Sequence, residues 1–413
     1  MSSILSIGSY VDRNAVYLAA KILPRARASR STFHLALLLD TSGSMDGGRL
    51  TALKRTLHLL VDALVNNDCL TMIAYESTAT VVATKTVIGT DSRSILHSTI
   101  DGLVAEGGTN MEAAILELRR VELSDVDSVF ILTDGHINQG INGSSGLQTL
   151  LSRSIPNGCI VNTLGFGADV NARMLRDMAL RSCGSYTFAD KDELLPAIIG
   201  DIVGGLQSTV GKQGKITIPT GWTCCELGVI EDGNYMTGQL IAEKPQWVLM
   251  KAPIGTDIPP LAFIWKEGSV SHLITYTTST VSALEIAEQI CRCTVAKAFA
   301  TASDLVDTGH LSRARRVLCD AKIDLDSSIA KDTTFVVCLY AQIDQMIEEL
   351  LHVSPAVLSS RMASGGATLG NQRGITSIGD PATQRLFSSP LQVNTSITMT
   401  TRYTQEAEEV GDV

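Results

Sequence analysis

Residues 33–48 read FHLALLLDTSGSMDGG. An unbroken apolar run of this length, closed by a single acid, is the pattern of a strand covered on both faces, as in a parallel sheet. The run ends at Asp40, and two hydroxyls follow at once, Ser42 and Ser44. In D-T-S-G-S, alternate side chains at 40, 42 and 44 can point the same way, and Gly43 tolerates the backbone angles that gather them. No base follows close behind, so the pattern suits oxygen donation better than nucleophilic catalysis.

The surrounding sequence repeats this logic. RLTALKRTLHLLVDAL (49–64) places Leu50, Leu53, Leu57, Leu60, Val61 and Leu64 on one helical face. DSVFILTD (127–134) is a second fully apolar strand that ends in an acid, Asp134. Between them, Thr109 sits in the glycine-rich loop EGGTN, where Gly107 and Gly108 allow close approach. Further short apolar runs (LTMIAYE, TATVVATK, CIVNTLGFG, SYTFAD) alternate with amphipathic segments as far as about residue 205, which predicts a doubly wound, mostly parallel sheet with SYTFAD at its edge. In such sheets ligands collect where strands end at their carboxyl edge. Asp40, Ser42, Ser44, Thr109 and Asp134 are all expected there. Two carboxylates and three hydroxyls form a hard, all-oxygen set suited to Mg²⁺, with Mn²⁺ or Ca²⁺ as substitutes. With only two anions, a bound divalent ion would keep Lewis acidity toward an incoming carboxylate.

Residues 34 to about 205 thus resemble a von Willebrand factor type A (vWA) domain, a Rossmann-like α/β fold. D-T-S-G-S, Thr109 and T-D-G resemble that family's metal ion-dependent adhesion site (MIDAS). The resemblance implies that Ser42, Ser44 and Thr109 contact the metal through hydroxyls, and that Asp40 and Asp134 bind directly or through water. It implies a sixth ligand from a protein partner, a Glu or Asp carboxylate. It also implies coupling between metal-site geometry and the last helix, here KDELLPAIIGDIVGGL. The order of segments resembles intracellular multidomain members of the superfamily, some carrying ubiquitin-ligase modules. No RING-like Cys/His array occurs in this sequence, so ligase activity is not carried over.

Five segments are expected: an N-terminal strand region at 1–32, a vWA domain at 33–205, a β-sandwich-like domain at 206–281, an α-helical domain at 282–353 and a disordered tail at 354–413. VYLAAKILP (16–24) has the texture of the later strands and is a candidate to join them, which would make the α/β part an insertion. Pro196 and Gly200 are expected to weaken the last helix of the vWA domain. Hydrophobic residues make up 45% of the 413 and charged residues 18%, at a mean hydropathy of +0.18, which describes a folding chain. The formal charge of -10 argues against non-specific nucleic-acid binding and points to protein partners. With no long apolar run and no secretory start, the expectation is an intracellular, cytoplasmic protein without a membrane span. Nothing in the sequence sets its oligomeric state.

Blander readings stand beside these. The acids could cap loops and the hydroxyls helices. Cys224-Cys225 and Cys291-Arg292-Cys293 are candidates for a redox or metal site, against the alternative of small buried thiols. GFGAD (165–169) is a weak dinucleotide signal or a turn, and one tetratricopeptide-like hairpin without a repeat reads as an ordinary helical pair. The functional expectation is a non-enzymatic, divalent-cation-dependent protein-interaction module. Its rivals are an adaptor for an AAA+ ATPase or ubiquitin machinery, and a metal-dependent hydrolase using Asp134 or His136.

Overall fold

A computed structural model describes residues 4–12, 15–26, 30–121, 124–135, 137–167, 170–275, 277–372 and 388–411. The chain forms two units. Met1–Arg30 clusters with Thr209–Ser389, and Ser31–Ser208 with Pro390–Val413. In sequence, therefore, the α/β unit interrupts the other one.

The chain starts with two antiparallel strands, β1 (Ile4–Asp12) and β2 (Ala15–Leu23). It then enters the α/β unit, with β3 (His34–Asp40), β4 (Cys69–Tyr75), β5 (Ala79–Val87), β6 (Ser128–Thr133), β7 (Ile160–Phe166) and β8 (Tyr186–Ala189). The sheet order is β5-β4-β3-β6-β7-β8, antiparallel only between β4 and β5. Every residue of β3, β6 and β7 is buried, as strands covered by helices on both faces must be. The helices are α1 (Gly48–Ala63), α2 (Thr90–Asp101), α3 (Met111–Arg120), α4 (Ser144–Ser154), α5 (Ala172–Arg181) and α6 (Leu195–Gln207). One core joins the predicted α1 face, including Leu53, Leu57 and Leu60, to Leu37 and Leu39 of β3 and to Ile199 and Val203 of α6. Pro196 does not weaken α6. It lies in the first turn, where a missing N–H would have had no intrahelical partner.

The other unit is a sandwich with a helical region. Its strands are β9 (Thr209–Thr217), β10 (Thr223–Cys224), β11 (Ile230–Glu231), β12 (Asn234–Ile241), β13 (Gln246–Pro253), β14 (Ala262–Glu267), β15 (Val270–Thr275) and β16 (Thr277–Thr280). One sheet runs β10-β13-β2-β1-β16 and the other β11-β12-β9-β14-β15. Leu5, Leu18 and Ile22 from the first share a core with Ile216, Phe263 and Trp265 from the second. The helices α7 (Ala283–Asp307), α8 (Leu311–Asp326) and α9 (Thr334–Glu349) follow. Ser282 and Glu285 close a capping box on α7, and Gly309, at φ +76, turns the chain into α8.

The expectation of a disordered tail at 354–413 is corrected where the structure describes it. Pro355–Asn371 forms α10 and Pro390–Gly411 forms α11. The small residues that read as low complexity are what let these helices approach their neighbours closely. A Cβ on Gly366 of α10 would stand 3.1 Å from the Ala296 carbonyl of α7. Cβ atoms on Gly200 and Gly204 of α6 would stand 2.6 and 2.7 Å from Cα atoms of Ser396 and Gln392 on α11. Met399 and Tyr403 of α11 are buried in the α/β core, and Gln392 Nε2 donates to the Asp201 carbonyl at 3.1 Å.

Candidate metal centre

Parallel pairing of β3 with β6, Leu39 opposite Leu132, brings Asp40 level with Thr133 and puts Asp134 one residue beyond. The rest of the site hangs on this edge. Asp40 is fully buried, and both its oxygens are engaged. Oδ1 accepts the Ser42 N–H at 2.9 Å and Oδ2 accepts the Thr133 hydroxyl at 2.6 Å. Burial pushes its carboxyl above the usual range and the nearby charge of Asp134 adds to this, while the donors from Thr133 and Ser42 act the other way.

Beyond Asp40 the oxygens form a row. Ser42 Oγ and Ser44 Oγ are 3.0 Å apart, and Ser44 Oγ donates to Asp134 Oδ1 at 2.8 Å. Thr109 joins this edge through backbone. Its loop is tied to the first by Gly43 N–H to the Gly107 carbonyl at 3.1 Å and by Glu106 N–H to the Thr41 carbonyl at 2.9 Å. The Thr109 N–H donates to Asn138 Oδ1 at 2.8 Å, and Gly108 N–H donates to Ser77 Oγ at 2.8 Å. Gly107 has φ +69, a left-handed conformation that favours glycine, and a Cβ there would also crowd the Glu76 carboxylate.

The capping reading of the hydroxyls does not describe them. Ser42 precedes the 3-10 turn Gly43–Met45 without a side-chain capping bond, Gly47 occupies the N-cap of α1, and Asn110, not Thr109, caps α3 by accepting the Ala113 N–H. His136 and the end of GFGAD, Ala168 and Asp169, lie outside the described residues.

The donor set fits a hard divalent cation. Two carboxylates and three hydroxyls are all-oxygen donors, of the kind that hold Mg²⁺, Mn²⁺ or Ca²⁺. The Ser42–Ser44 and Ser44–Asp134 hydrogen bonds, 3.0 and 2.8 Å, keep three of these oxygens together at the sheet edge. Among the described residues there is no cluster of three or more His, Cys, Asp or Glu side chains placed to hold a metal. Cys225 and Cys293 are buried in an apolar cluster with Trp247 and Ile286.

Sequence reading missed one participant. Arg49, at the start of α1, donates from Nη1 to Asp134 Oδ2 at 2.6 Å and to the Ser44 carbonyl at 3.4 Å. Helical periodicity places position 49 on a polar face, and no local motif marks it. Thr133 was quoted within T-D-G, but its bond to Asp40 depends on strand pairing.

These features define a Rossmann-like domain with an oxygen-lined site at the carboxyl edge of its sheet. Residues 34–188 match the family model of the von Willebrand factor type A domain, and the chain carries a domain of that family. Over 211 residues it is 28% identical to the uncharacterized protein YfbK of Escherichia coli (strain K12), covering 49% of this chain and 36% of that protein. Over 153 residues it is 27% identical to the E3 ubiquitin-protein ligase WAV3 of Arabidopsis thaliana, covering 32% of this chain and 20% of the ligase. The chain thus spans well under half of either relative. The fold as a whole is similar to a von Willebrand factor type A protein from Catenulispora acidiphila, with a TM-score of 0.65 at 16% identity over 89% of this chain and 96% of that one.

Proposed function

We propose that this chain is a protein-interaction module whose vWA domain holds a divalent cation, Mg²⁺ by the hardness of its all-oxygen donors, and takes an acidic side chain of a partner as the last ligand. Asp40, Ser42, Ser44, Thr109 and Asp134 would hold the ion. The observation that carries the reading is the hydrogen-bonded row Ser42–Ser44–Asp134 beside the buried Asp40, which gathers hard oxygen donors at the carboxyl edge of the sheet. When bound, the cation would supply Lewis acidity toward a carboxylate oxygen. The chain's own part is orientation. Thr133 and the Ser42 N–H fix both oxygens of Asp40, and Ser44 turns one oxygen of Asp134 toward the hydroxyls.

A binding role is favoured over hydrolysis by the same bonds. The two oxygens of Asp134 are engaged by Ser44 and Arg49, which leaves it poorly placed to act as a base. The adaptor reading, service to ubiquitin or AAA+ machinery, has one observation behind it, the alignment with an E3 ubiquitin-protein ligase over 153 residues. Calorimetry with Mg²⁺ and Mn²⁺ on the full chain tests the main reading. Wild type should take up one ion and Asp40→Ala none, with circular dichroism unchanged. Equal heats from the two proteins would defeat the proposal. A pull-down from extract, Mg²⁺ against EDTA, then distinguishes an adaptor from a module with other partners.

A further inference from the structure

Arg49 has no place in the five-oxygen pattern, yet it makes an ion pair at the site. Its guanidinium lies 2.6 Å from Asp134 Oδ2, the oxygen turned away from Ser44, and Asp134 is fully buried while the Arg49 side chain is 35% exposed. The loop after β7 forms its seat. Gly167 has φ +88, and a Cβ there would meet Arg49 Nη2 at 3.0 Å and Cζ at 3.1 Å. The first turn of a helix is an unfavourable place for a cation, since the unpaired N–H groups there are already positive. The position is therefore not explained by the stability of α1.

We propose that Arg49 sets the charge of the metal site so that it needs a carboxylate from outside the chain; this rests on the metal reading above. Asp40 and Asp134 contribute two negative charges to the hydrogen-bonded row and Arg49 returns one positive charge. A divalent ion then leaves the row with one net positive charge. Without Arg49 the same ion and two carboxylates would be neutral, and an acidic ligand would gain little. The other nearby acids do not change this count. Asp46 is exposed and accepts the Gly47 N–H, Glu76 is turned onto the Ser77 and Thr78 backbone, and Glu106 is exposed. Asp192, ahead of α6, also feels the guanidinium, but burial raises its carboxyl and it makes no bond to Asp40, Ser42, Ser44 or Asp134 among the described residues, so the count is taken over the bonded groups alone. Arg49 thus lowers affinity for the cation and raises affinity for the acid. It is a specificity-determining residue for acidic ligands.

These opposite signs make the test. In the full chain, Arg49→Gln and Arg49→Lys are compared with wild type by calorimetry with Mn²⁺ alone, then by water-proton relaxation as acetate is titrated into the Mn²⁺-loaded protein. Removing one like charge near the ion should tighten Mn²⁺ binding about tenfold in Arg49→Gln. Acetate binding should weaken by a similar factor, while Arg49→Lys, which keeps the charge, stays within about threefold of wild type in both. If Arg49→Gln weakens Mn²⁺ binding and lowers the melting temperature, Arg49 is a structural brace and the inference is wrong. Arg49→Lys behaving like Arg49→Gln would equally overturn the charge argument. If wild type itself takes up no Mn²⁺, the metal reading fails first and this inference falls with it.

Discussion

A buried side chain is bound by what the surrounding atoms allow. Even the half-buried Cys224 shows this, because loss of solvation pushes its thiol up to about 12, and burial also raises the buried Cys225, Cys291 and Cys293. A thiol raised this far is neutral at pH 8, and alkylation proceeds through the thiolate. Iodoacetamide at pH 8 should therefore label Cys224 at least ~100-fold more slowly in the native chain than in urea, the direction expected of a thiol well above ambient pH. Equal rates in mass-spectrometric footprinting would revive the redox reading of the two cysteine pairs. A second case is the fully buried ion pair of Arg292 with Glu226, 2.7 Å apart, in which Glu226 Oε1 also accepts the Leu249 N–H. Arg292 donates as well to Gln289 Oε1 at 2.7 Å and to the Leu369 carbonyl at 2.8 Å. Glu226→Gln strands the guanidinium charge away from water, and urea unfolding should show a loss of about 3–5 kcal/mol. At the candidate metal centre, the residue types at 40, 42, 44, 109 and 134 were legible because alternate positions in a tight turn and at strand ends carry their own geometry. Arg49 was not legible, because its significance lies in a partner 85 residues away.

Among elements, the crossing of α6 and α11 departs furthest from sequence expectation. Glycines in a helix normally cost stability, and composition alone gives α11 little reason to fold. Both facts reverse once the two helices are adjacent. Gly200 and Gly204 supply the flat surface, and α11 brings Met399 and Tyr403 into the core. Arg55 lies over the Tyr403 ring at 4.1 Å and donates to its carbonyl at 2.7 Å, and Arg402 pairs with Asp62 at 2.7 Å. Gly204→Ala should gain roughly 1 kcal/mol of helix propensity and lose about 1–3 kcal/mol to overpacking, for a net loss. In a chain ending at Ser389 the overpacking is gone, so the same substitution should stabilise the α/β unit. Thermal melts of the four proteins check the change of sign. A stabilising effect in the full chain would mean that α11 does not dock there. Since α6 is the helix that the family resemblance implies is coupled to the proposed metal site, these variants also bear on whether α11 restrains it.

For the whole molecule, continuity of the chain and continuity of the fold part company. β1 and β2 come first in sequence but sit inside a sheet whose other members begin at Thr223, between β13 and β16. Removing residues 1–26 takes out two of five strands and leaves β13 and β16 without their main neighbours. Such a chain should lose protease resistance across 209–280 while the α/β unit keeps its own, which limited trypsinolysis with mass mapping would reveal. Intact resistance there would disprove the shared sheet. Among the described residues no helix is long and apolar enough to cross a membrane. What the sequence determined alone was whatever depends on near neighbours: apolar runs that must be covered on both faces, a helical stripe in α1, and a turn that aligns oxygens two residues apart. Tertiary structure alone decided which sandwich strands β1 and β2 pair with, the folding of the tail into α10 and α11, and the pairing of Arg49 with Asp134. Each of these joins segments far apart in sequence, and such pairings are chosen by the packing and charge balance of the finished fold, which no local pattern encodes.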